Sequence, residues 1–482
     1  MSRLIAALES VEHLLEAIPD AAERLSPLIQ HLRASEALVL DLIDAANAGR
    51  EHAAPSAEAE GDLEFGLMLY RLQHPTEEHN NLMQLNHVHA IVTQALQRFA
   101  PQSRITEDMF SSFFRIAYNV GIVAADGGLW TPGKYALLDP LWLAPIANYA
   151  INLLDPDSIY HPYPTNPYNA TIGADKKRIS IAIIGDWGSG AYDTDYAGQG
   201  PAVAVMAAVR NMQPDYVVHL GDTYYSGTDD RLPWHEEQHN LLDQWHSGTG
   251  AETSFAINAN HEMYGAAQVL IGVALANGTP FEHQNRTPYF GLEFGNWVIL
   301  GLDSAYFDPS TLYMQGALGN ASNIQQQNFI HAQYGDLSGK KVLVMTHHNP
   351  MSFDGSTITP NKKAGTALWD GMNSALGNRN PDVWYWGHLH LGVAYNSNSA
   401  VGAEGTLGRC VGHSAMPFGN AHGMDLQNVD YYAHTPLNVG TKQVQNGFAI
   451  VTLDSDGSLT ETFYEVDANG KCIPAWTNPP SS

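Results

Sequence analysis

The chain has 482 residues, enough for about two to four domains at roughly 100–200 residues each. With 44% hydrophobic and 10% aromatic residues it can bury a large core, which excludes an intrinsically disordered protein. Its 23 Lys and Arg against 50 Asp and Glu give a formal net charge of −27, which excludes a general binder of nucleic acid or of anionic membranes because phosphate groups would be repelled.

The first third of the chain has the periodicity of helices. Apolar residues recur at three- and four-residue steps through residues 1–50 and again between residues 63 and 154, which is typical of amphipathic helices. We therefore predict a mostly helical N-terminal domain over residues 1–155. Its first helices either pack on the rest of the chain or form a hairpin for a homo-oligomer or another partner. A proline-rich stretch over residues 156–177 predicts a linker.

From residue 178 onward, β-branched apolar runs alternate with helical segments, which predicts an α/β domain over residues 178–470 and a C-terminal tail over 471–482. The clearest strands are predicted at 179–185, 215–221, 253–258, 341–346, 382–387 and near 405–414. Helices are predicted between them at about 199–212, 235–246, 264–276, 322–334 and 364–376. Hairpins are predicted at 288–302, turning at Gly295-Asn296, and at 447–465, turning at Asp456-Gly457.

Five of these strand ends carry residue types that bind metals. They are Gly185-Asp186, Gly221-Asp222, Asn260-His261, His347-His348 and Gly387-His388-Leu389-His390. A lone Gly-Asp is more typical of a turn or a helix cap, but α/β folds collect their sites at the carboxyl ends of strands, so five such ends predict one site. Few Lys or Arg lie near these motifs. Bound metal is therefore the expected source of positive charge for an anionic substrate.

In this order the five motifs resemble those of the calcineurin-like metallophosphoesterases, over roughly residues 178–415. They are most similar to the purple acid phosphatase branch, because Gly188 stands where the wider superfamily usually has a histidine. Tyr225, three residues after Asp222, stands where that branch has its tyrosinate ligand, and Tyr224 is the neighbour that could be confused with it. The chain departs from the family at Ala259, where a glycine is usual and where Ala restricts the backbone angles.

The resemblance implies a four-layer α/β/β/α metallophosphoesterase sandwich, joined here to the helical N-terminal domain. It also implies two metal ions. Fe(III) would be held by Asp186, Tyr225 and His390, and Asp222 would bridge the two ions. A divalent Fe, Zn or Mn ion would be held by Asn260, His347 and His388. In an extended His-x-His the two imidazoles point to the same side, so His388 and His390 can each reach one ion.

The activity that the resemblance implies is hydrolysis of a small phosphate monoester by metal-activated hydroxide. His261 is the candidate acid or electrostatic partner for the leaving oxygen, with a structural histidine as the alternative. His348 either contacts the substrate or supports the ligands, and we expect Asp303 to orient a ligand histidine. Two other functions stay open: a phosphodiesterase with the same site, and a metal-stabilised binding scaffold without turnover.

Two remaining features concern the cell compartment. No stretch approaches the roughly 20 apolar residues of a membrane span, and charge interrupts the N-terminus too early for a secretory signal. Cys410 and Cys472 are too few for a disulfide framework and lie in no CxxC pattern, so we expect free thiols. We therefore predict a cytoplasmic protein that binds neither nucleic acid nor membranes.

Overall fold

The structure is a computed structural model. It describes Tyr149, Asn152 and residues 159–191, 200–227, 236–245, 253–335, 337–358, 368–416, 424, 426–437 and 444–479. Apart from Tyr149 and Asn152, the predicted N-terminal helical domain lies outside the described residues. The chain divides into two compact units. One consists of Met1–Ile159, Thr228–His235 and Tyr264–Ala266, and the other of Tyr160–Gly227, Glu236–Met263 and Ala267–Ser482.

Two mixed β-sheets form the second unit, as the alternation of strands and helices predicts. In the described residues the larger sheet has eight strands, in the spatial order Tyr168–Thr171 (β1), Phe290–Phe294 (β5), Trp297–Gly301 (β6), Lys341–Thr346 (β7), Val383–Trp386 (β8), Leu407–Val411 (β10), Gly392–Tyr395 (β9) and Val429–Tyr432 (β11). The other has six, in the order Cys472–Asn478 (β14), Leu459–Val466 (β13), Asn446–Asp454 (β12), Arg178–Ile184 (β2), Tyr216–His219 (β3) and Ser254–Ala256 (β4).

The strands that lead to the metal-type motifs run parallel within each sheet. In the six-stranded sheet β2, β3 and β4 are parallel, and in the eight-stranded sheet β6, β7, β8 and β10 are parallel. The predicted hairpins are confirmed, because β5 pairs antiparallel with β6 and β12 pairs antiparallel with β13. The carboxyl ends of the parallel strands therefore gather at one edge of each sheet.

Alternation along β2 shows how the sheets pack. Ile179, Ile181 and Ile183 lie in a core with residues of the eight-stranded sheet, such as Ile299 and Leu343. The intervening Ala182 and Ile184 face the opposite way and pack with the first described helix, Pro201–Met212 (α1). Because side chains alternate across a strand, one continuous apolar run can serve two layers at once.

The other described helices are short. They are Asn260–Tyr264 (α2), Gln325–Tyr334 (α3), Leu368–Ala375 (α4) and Ala400–Ala403 (α5). Helix α4 packs on the eight-stranded sheet, where the Trp369 ring stacks on Trp384 of β8 with centroids 5.8 Å apart. None of the helices in the described parts of the chain has the length and apolarity needed to cross a bilayer.

Several segments differ from the predictions. In the helix predicted at about 235–246 the structure has a π-helical turn at Glu237–Leu241 followed by a 3₁₀ turn at Leu242–Gln244. Strand β1 lies inside the predicted linker, and β14 lies inside the predicted C-terminal tail. Strand β14 contains Pro474, which interrupts a strand pattern but is tolerated at a sheet edge, where a donor can be spared. In the helix predicted at about 264–276 the structure has a π-helical turn at Leu270–Ala274, after Ala267 adopts a left-handed φ of 54°.

A buried ion pair links the two sheets through the core. Arg409 of β10 donates from Nη2 to Oε1 of Glu461 on β13 at 2.6 Å, and its Nε donates to both carboxylate oxygens at 3.0 and 2.9 Å. Tyr385 and Asn478 donate to the same carboxylate at 2.6 and 2.9 Å. Burial alone would raise the pKa of Glu461, but Arg409 and these donors outweigh it, and the pKa lies below its usual value.

We expect Glu461→Gln to lower the free energy of unfolding by about 3–5 kcal/mol, because it leaves the guanidinium of Arg409 buried without its charged partner. The folded-state pKa of Glu461 is depressed, so the pair contributes fully above the pKa of the unfolded carboxyl and loses its contribution as the pH falls through the folded-state pKa. Urea unfolding followed by tryptophan fluorescence should therefore show the difference between wild type and variant shrinking on acidification.

The control is Arg178→Gln. Arg178 pairs with Asp454 at 2.9 Å, but its side chain is 67% exposed and screened by water, so the loss of stability should be much smaller than that of Glu461→Gln. Equal costs for the two variants would contradict a special contribution of the buried pair.

Candidate metal centre

Loops that follow strands of both sheets form the centre. Asp186, Asp222 and Asn260 follow β2, β3 and β4 of the six-stranded sheet, whereas His347 and His388 follow β7 and β8 of the eight-stranded sheet. Backbone hydrogen bonds tie these loops together within each sheet. The Asp186 amide donates to Gly221 O at 3.2 Å, and the Gly387 amide donates to His347 O at 3.0 Å. The predicted strand ends therefore meet in one place.

Several candidate ligands have strained backbones. Asp186, Asp222, His388 and His390 have φ values of 54°, 73°, 67° and 51°, in the left-handed region that non-glycine residues rarely adopt. Such a conformation costs about 1–3 kcal/mol per residue and persists only where the surroundings impose it. Clustered strain of this kind is typical of functional sites, and here it coincides with the residues selected by motif.

The first donor group contains Asp186, Asp222, Tyr224 and His390. His390 Nε2 lies 3.3 Å from Asp186 Oδ1 and 2.9 Å from the Tyr224 hydroxyl. The same hydroxyl lies 3.5 Å from Asp186 Oδ1 and 3.4 Å from Asp222 Oδ2. Two carboxylates, one phenol and one imidazole thus converge, which is a donor set suited to a hard cation such as a ferric ion.

Motif spacing predicts Tyr225 in this position, but the structure places the Tyr224 hydroxyl among the donors. The backbone carbonyl of Tyr225 also lies at the centre, where it accepts a hydrogen bond from His261 Nδ1 at 2.5 Å. The first motif contributes the Asp186 side chain, but position 188 has no space for one. A Cβ at Gly188 would lie 2.7 Å from Thr223 Cα, because the two motif loops pack backbone against backbone.

The second donor group contains Asp222, Asn260, His347 and His388. His347 Nε2 lies 2.8 Å from Asn260 Oδ1, 3.2 Å from His388 Nδ1 and 3.4 Å from Asp222 Oδ1. Asp222 therefore faces the first group with Oδ2 and the second with Oδ1. This is the arrangement that a carboxylate shared by two ions requires.

Backbone carbonyls determine which ring nitrogen carries the proton. A carbonyl oxygen can only accept, so the nitrogen that meets it must be the N–H. Leu220 O lies 3.0 Å from His347 Nδ1, which leaves Nε2 of His347 as the lone-pair nitrogen facing Asn260 and Asp222. Tyr225 O binds His261 Nδ1 in the same way, so Nε2 of His261 is the nitrogen that faces Asp222 Oδ2, at 3.7 Å.

The two candidate catalytic histidines are held differently. His261 is 7% exposed and has Nε2 directed towards the Asp222 carboxylate. His348 is fully buried, and both of its ring nitrogens have protein partners: Ser304 Oγ at 2.9 Å from Nδ1 and Tyr313 O at 2.6 Å from Nε2. Its ring packs on His388 with centroids 4.8 Å apart, so its described contacts are those of a support for the ligands.

Asp303 does not orient a ligand histidine through any contact described in the structure. Its carboxylate accepts hydrogen bonds from the Tyr163 hydroxyl at 3.1 Å, from Asn258 Nδ2 at 3.3 Å and from the amides of Ala305 and Tyr306. The strand end therefore folds back on itself, and the next residue, Ser304, is the one that reaches a histidine. Neither Ser304 nor Tyr224 carries a sequence signal beyond its position beside a motif.

Ala259 fits where the family usually has glycine. Its φ is not positive, so the position does not require the conformational freedom of glycine. Its methyl group lies against Gly221, where an added Cβ would come within 2.5 Å of the Ala259 Cβ. The neighbouring motif thus has a glycine, Gly221, at the point where the Ala259 methyl group needs space.

The electrostatics of the centre favour cations. Burial, together with Asp186 and Glu262, raises the pKa of Asp222, and burial raises the pKa of Glu262 to about 7. Burial followed by neighbouring imidazoles lowers the pKa of His347 and of His388. Among the described residues, the ion-pair partners of Asp186 and Asp222 are histidines rather than Lys or Arg.

The donor set therefore fits metal ions. Ligand atoms of Asp186, Asp222 and His347 lie within 4.8 Å of one another, as do those of His347, His348 and His388. Divalent or trivalent ions stabilise such a group of anionic carboxylates and neutral imidazoles, because they supply the compensating positive charge.

Comparison with known protein families gives a match over the same region. Residues 179–392, less than half of the chain, match the family model described as calcineurin-like phosphoesterase. A comparison with curated proteins gives no match. The matched segment contains every candidate ligand, which supports membership of this superfamily for the segment. Together with the carboxylate–histidine cluster, the match indicates a metal-dependent phosphoester hydrolase.

We expect Asp222→Asn to have opposite effects on the thermal stability of the metal-free and metal-loaded protein. After chelation the variant should melt higher than wild type, because it removes one of two buried, mutually repelling carboxylates. With Zn²⁺ at about 100 times its Kd, wild type should gain about 2.7 kcal/mol and the variant far less. Differential scanning calorimetry with and without Zn²⁺ measures both effects.

Asp243→Asn serves as the matched control, because Asp243 pairs with the exposed His239 instead of a candidate ligand. It should respond to Zn²⁺ as wild type does. A metal-free Asp222→Asn protein that melts below wild type and still gains full stability from Zn²⁺ would rule out the bridging role.

Proposed function

We propose that residues 178–470 hydrolyse small phosphate monoesters at a two-ion centre of the purple acid phosphatase type, with Fe(III) in the first donor group and a divalent Fe, Zn or Mn ion in the second. The observation that carries the proposal is the placement of Asp222, whose two carboxylate oxygens face the two donor groups. The presence of a phenol in the first group alone supports the assignment of the ferric ion to that group.

The protein's contribution is to hold donors and to place one proton-carrying group. Bound ions would supply the Lewis acidity and the positive charge that phosphoryl transfer requires. Hydrogen bonds with the backbone keep the carboxylates and imidazoles of the centre in place. The His388 amide, for example, donates to Asp186 Oδ2 at 2.9 Å. Positioned charges act strongly where water is excluded, and both carboxylates are buried.

His261 is the group proposed to act on the leaving oxygen. Tyr225 O accepts its Nδ1–H, so the imidazole cannot rotate without losing a hydrogen bond. Nε2 carries the lone pair of the neutral ring, so the ring must be protonated at Nε2 before it can donate to the leaving oxygen. The backbone amide of His261 also donates to Asp222 Oδ1 at 3.3 Å, which fixes the histidine relative to the shared carboxylate. General acid catalysis of this kind contributes about 10²–10⁴-fold.

We expect the metal-loaded protein to hydrolyse phosphate monoesters faster than diesters, and His261→Asn to lower kcat by about 10²–10⁴-fold while retaining two ions per chain. Steady-state assays on a panel of monoesters and diesters, with metal analysis of each sample, test this. His239→Asn is the control, because the exposed His239 pairs with Asp243 by a salt bridge of 2.8 Å.

Three outcomes would each change the assignment. Faster diester turnover would make the protein a phosphodiesterase. Two bound ions without turnover on any ester would make it a binding scaffold. Full activity of His261→Asn would leave the histidine a structural residue.

Tyrosinate ligation gives a second, spectroscopic prediction. With Fe(III) bound, the protein should show a visible charge-transfer band, and Tyr224→Phe should abolish it, because its hydroxyl lies among Asp186, Asp222 and His390. Tyr225→Phe is the matched control and should retain the band. The reverse result would restore the assignment of Tyr225 from motif spacing, and an active, colourless protein with two divalent ions would exclude the ferric ion.

A further inference from the structure

One loop between β6 and β7 of the eight-stranded sheet lies directly against the second donor group. We call residues 308–316 the Asp308 loop. The Tyr313 carbonyl accepts a hydrogen bond from His348 Nε2 at 2.6 Å, and the Met314 carbonyl accepts one from the His388 ring. Met314 Sδ lies 3.8 Å from Asn260 Nδ2. Two consecutive residues of this loop thus contact three of the side chains that surround the second ion position.

The backbone of the loop is strained and needs stabilising contacts from other groups. Leu312 and Tyr313 have consecutive left-handed φ values of 58° and 54°, which are unfavourable for residues with a Cβ. Gly316 closes the loop with a φ of 75°, and a Cβ there would lie 2.7 Å from the Cβ of His348. The loop is therefore pressed against His348 in a conformation that other groups must impose.

Asp308 supplies that support from inside the loop. Its side chain is buried, with 4% exposure of the residue. Oδ1 accepts the Ser310 amide at 2.8 Å, and Oδ2 accepts the amides of Gln315 and Gly316 at 2.9 and 2.7 Å. The Ser310 hydroxyl adds a second support, because it accepts the amides of Met314 at 2.8 Å and Gln315 at 3.2 Å. Hydrogen bonds from amides to a buried carboxylate are strong and directional.

We propose that Asp308 is a positioning residue for the second ion. It holds the Tyr313 and Met314 carbonyls on His348 and His388 and so determines which ring nitrogen of His388 faces His347. The inference rests on the two-ion centre of the proposed function, but it does not depend on the substrate. Groups that orient ligand histidines in this way typically change metal affinity by about 10–100-fold when they are removed.

The test compares Asp308→Asn with Ser310→Ala by titrating metal-free protein with Zn²⁺ in a calorimeter. An Asn side chain has one acceptor oxygen, so it cannot accept all three amides, and the Kd of one Zn²⁺ should rise by about 10–100-fold while the other stays unchanged. Ser310→Ala leaves the charge of Asp308 in place and loosens the same loop. It should raise the Kd of the same ion, by a smaller factor, and this separates positioning from loss of negative charge.

The matched control is Asp354→Asn. Asp354 organises its own loop, accepting from Ser352 Oγ at 2.6 Å and from the Ser356 amide at 3.0 Å, and none of these partners is a candidate ligand. It should leave both Zn²⁺ affinities at wild-type values. Unchanged affinities in Asp308→Asn, or an unchanged affinity in Ser310→Ala, would overturn the proposal. The readout is Zn²⁺ binding. A wild-type protein that binds two ions without turnover would therefore refute the proposed function but not the role of Asp308.

Discussion

The centre depends on the placement of one carboxylate, Asp222, between two donor groups, each of which combines residues from loops of both sheets. Its backbone is in the left-handed region, and Glu262 holds it there by accepting the amides of Asp222 and Thr223 at 3.2 and 2.8 Å. The result is a buried anion beside a second buried anion, Asp186, with imidazoles as the described ion-pair partners. Such an arrangement is unfavourable by itself and becomes favourable when cations occupy the space between the donors.

The backbone contributes as much to the donor geometry as the side chains do. Carbonyls of Leu220, Tyr225 and Tyr313 each fix one nitrogen of a histidine ring, and Asp186 fixes the amide of His388. A side chain that is already held by hydrogen bonds loses little conformational freedom when an ion binds. The affinity of the centre for the ion is therefore not reduced by the cost of ordering that side chain. This explains why glycines and left-handed residues concentrate at the centre: the chain must bring backbone groups, rather than side chains alone, within reach of the imidazoles.

Much of this arrangement follows from short-range patterns. The runs before Asp186, Asp222 and His347 are β-branched and end abruptly, so strand type and strand end could be predicted for β2, β3 and β7 from the residues themselves. Strand β14 and the position of Tyr224 could not. The first contains a proline and is stabilised by pairing with β13, and the second depends on how Gly188 packs on Thr223. Both are determined by contacts between segments far apart in sequence, which periodicity does not report. The contribution of the Asp308 loop is hidden for the same reason, because it acts through carbonyls that every residue possesses.

The division of donors between sheets links the centre to the core. Asp186, Asp222 and Tyr224 belong to loops of the six-stranded sheet, whereas His347, His388 and His390 belong to loops of the eight-stranded sheet, and each donor group combines both. The distances between the donors of each group are therefore set by how the sheets pack, through the apolar core and the Arg409–Glu461 pair. Packed interiors resist small displacements, so the core holds the donors close even though their charges repel. Binding of ions would in turn stabilise the contact between the sheets, because each ion would be held by residues of both.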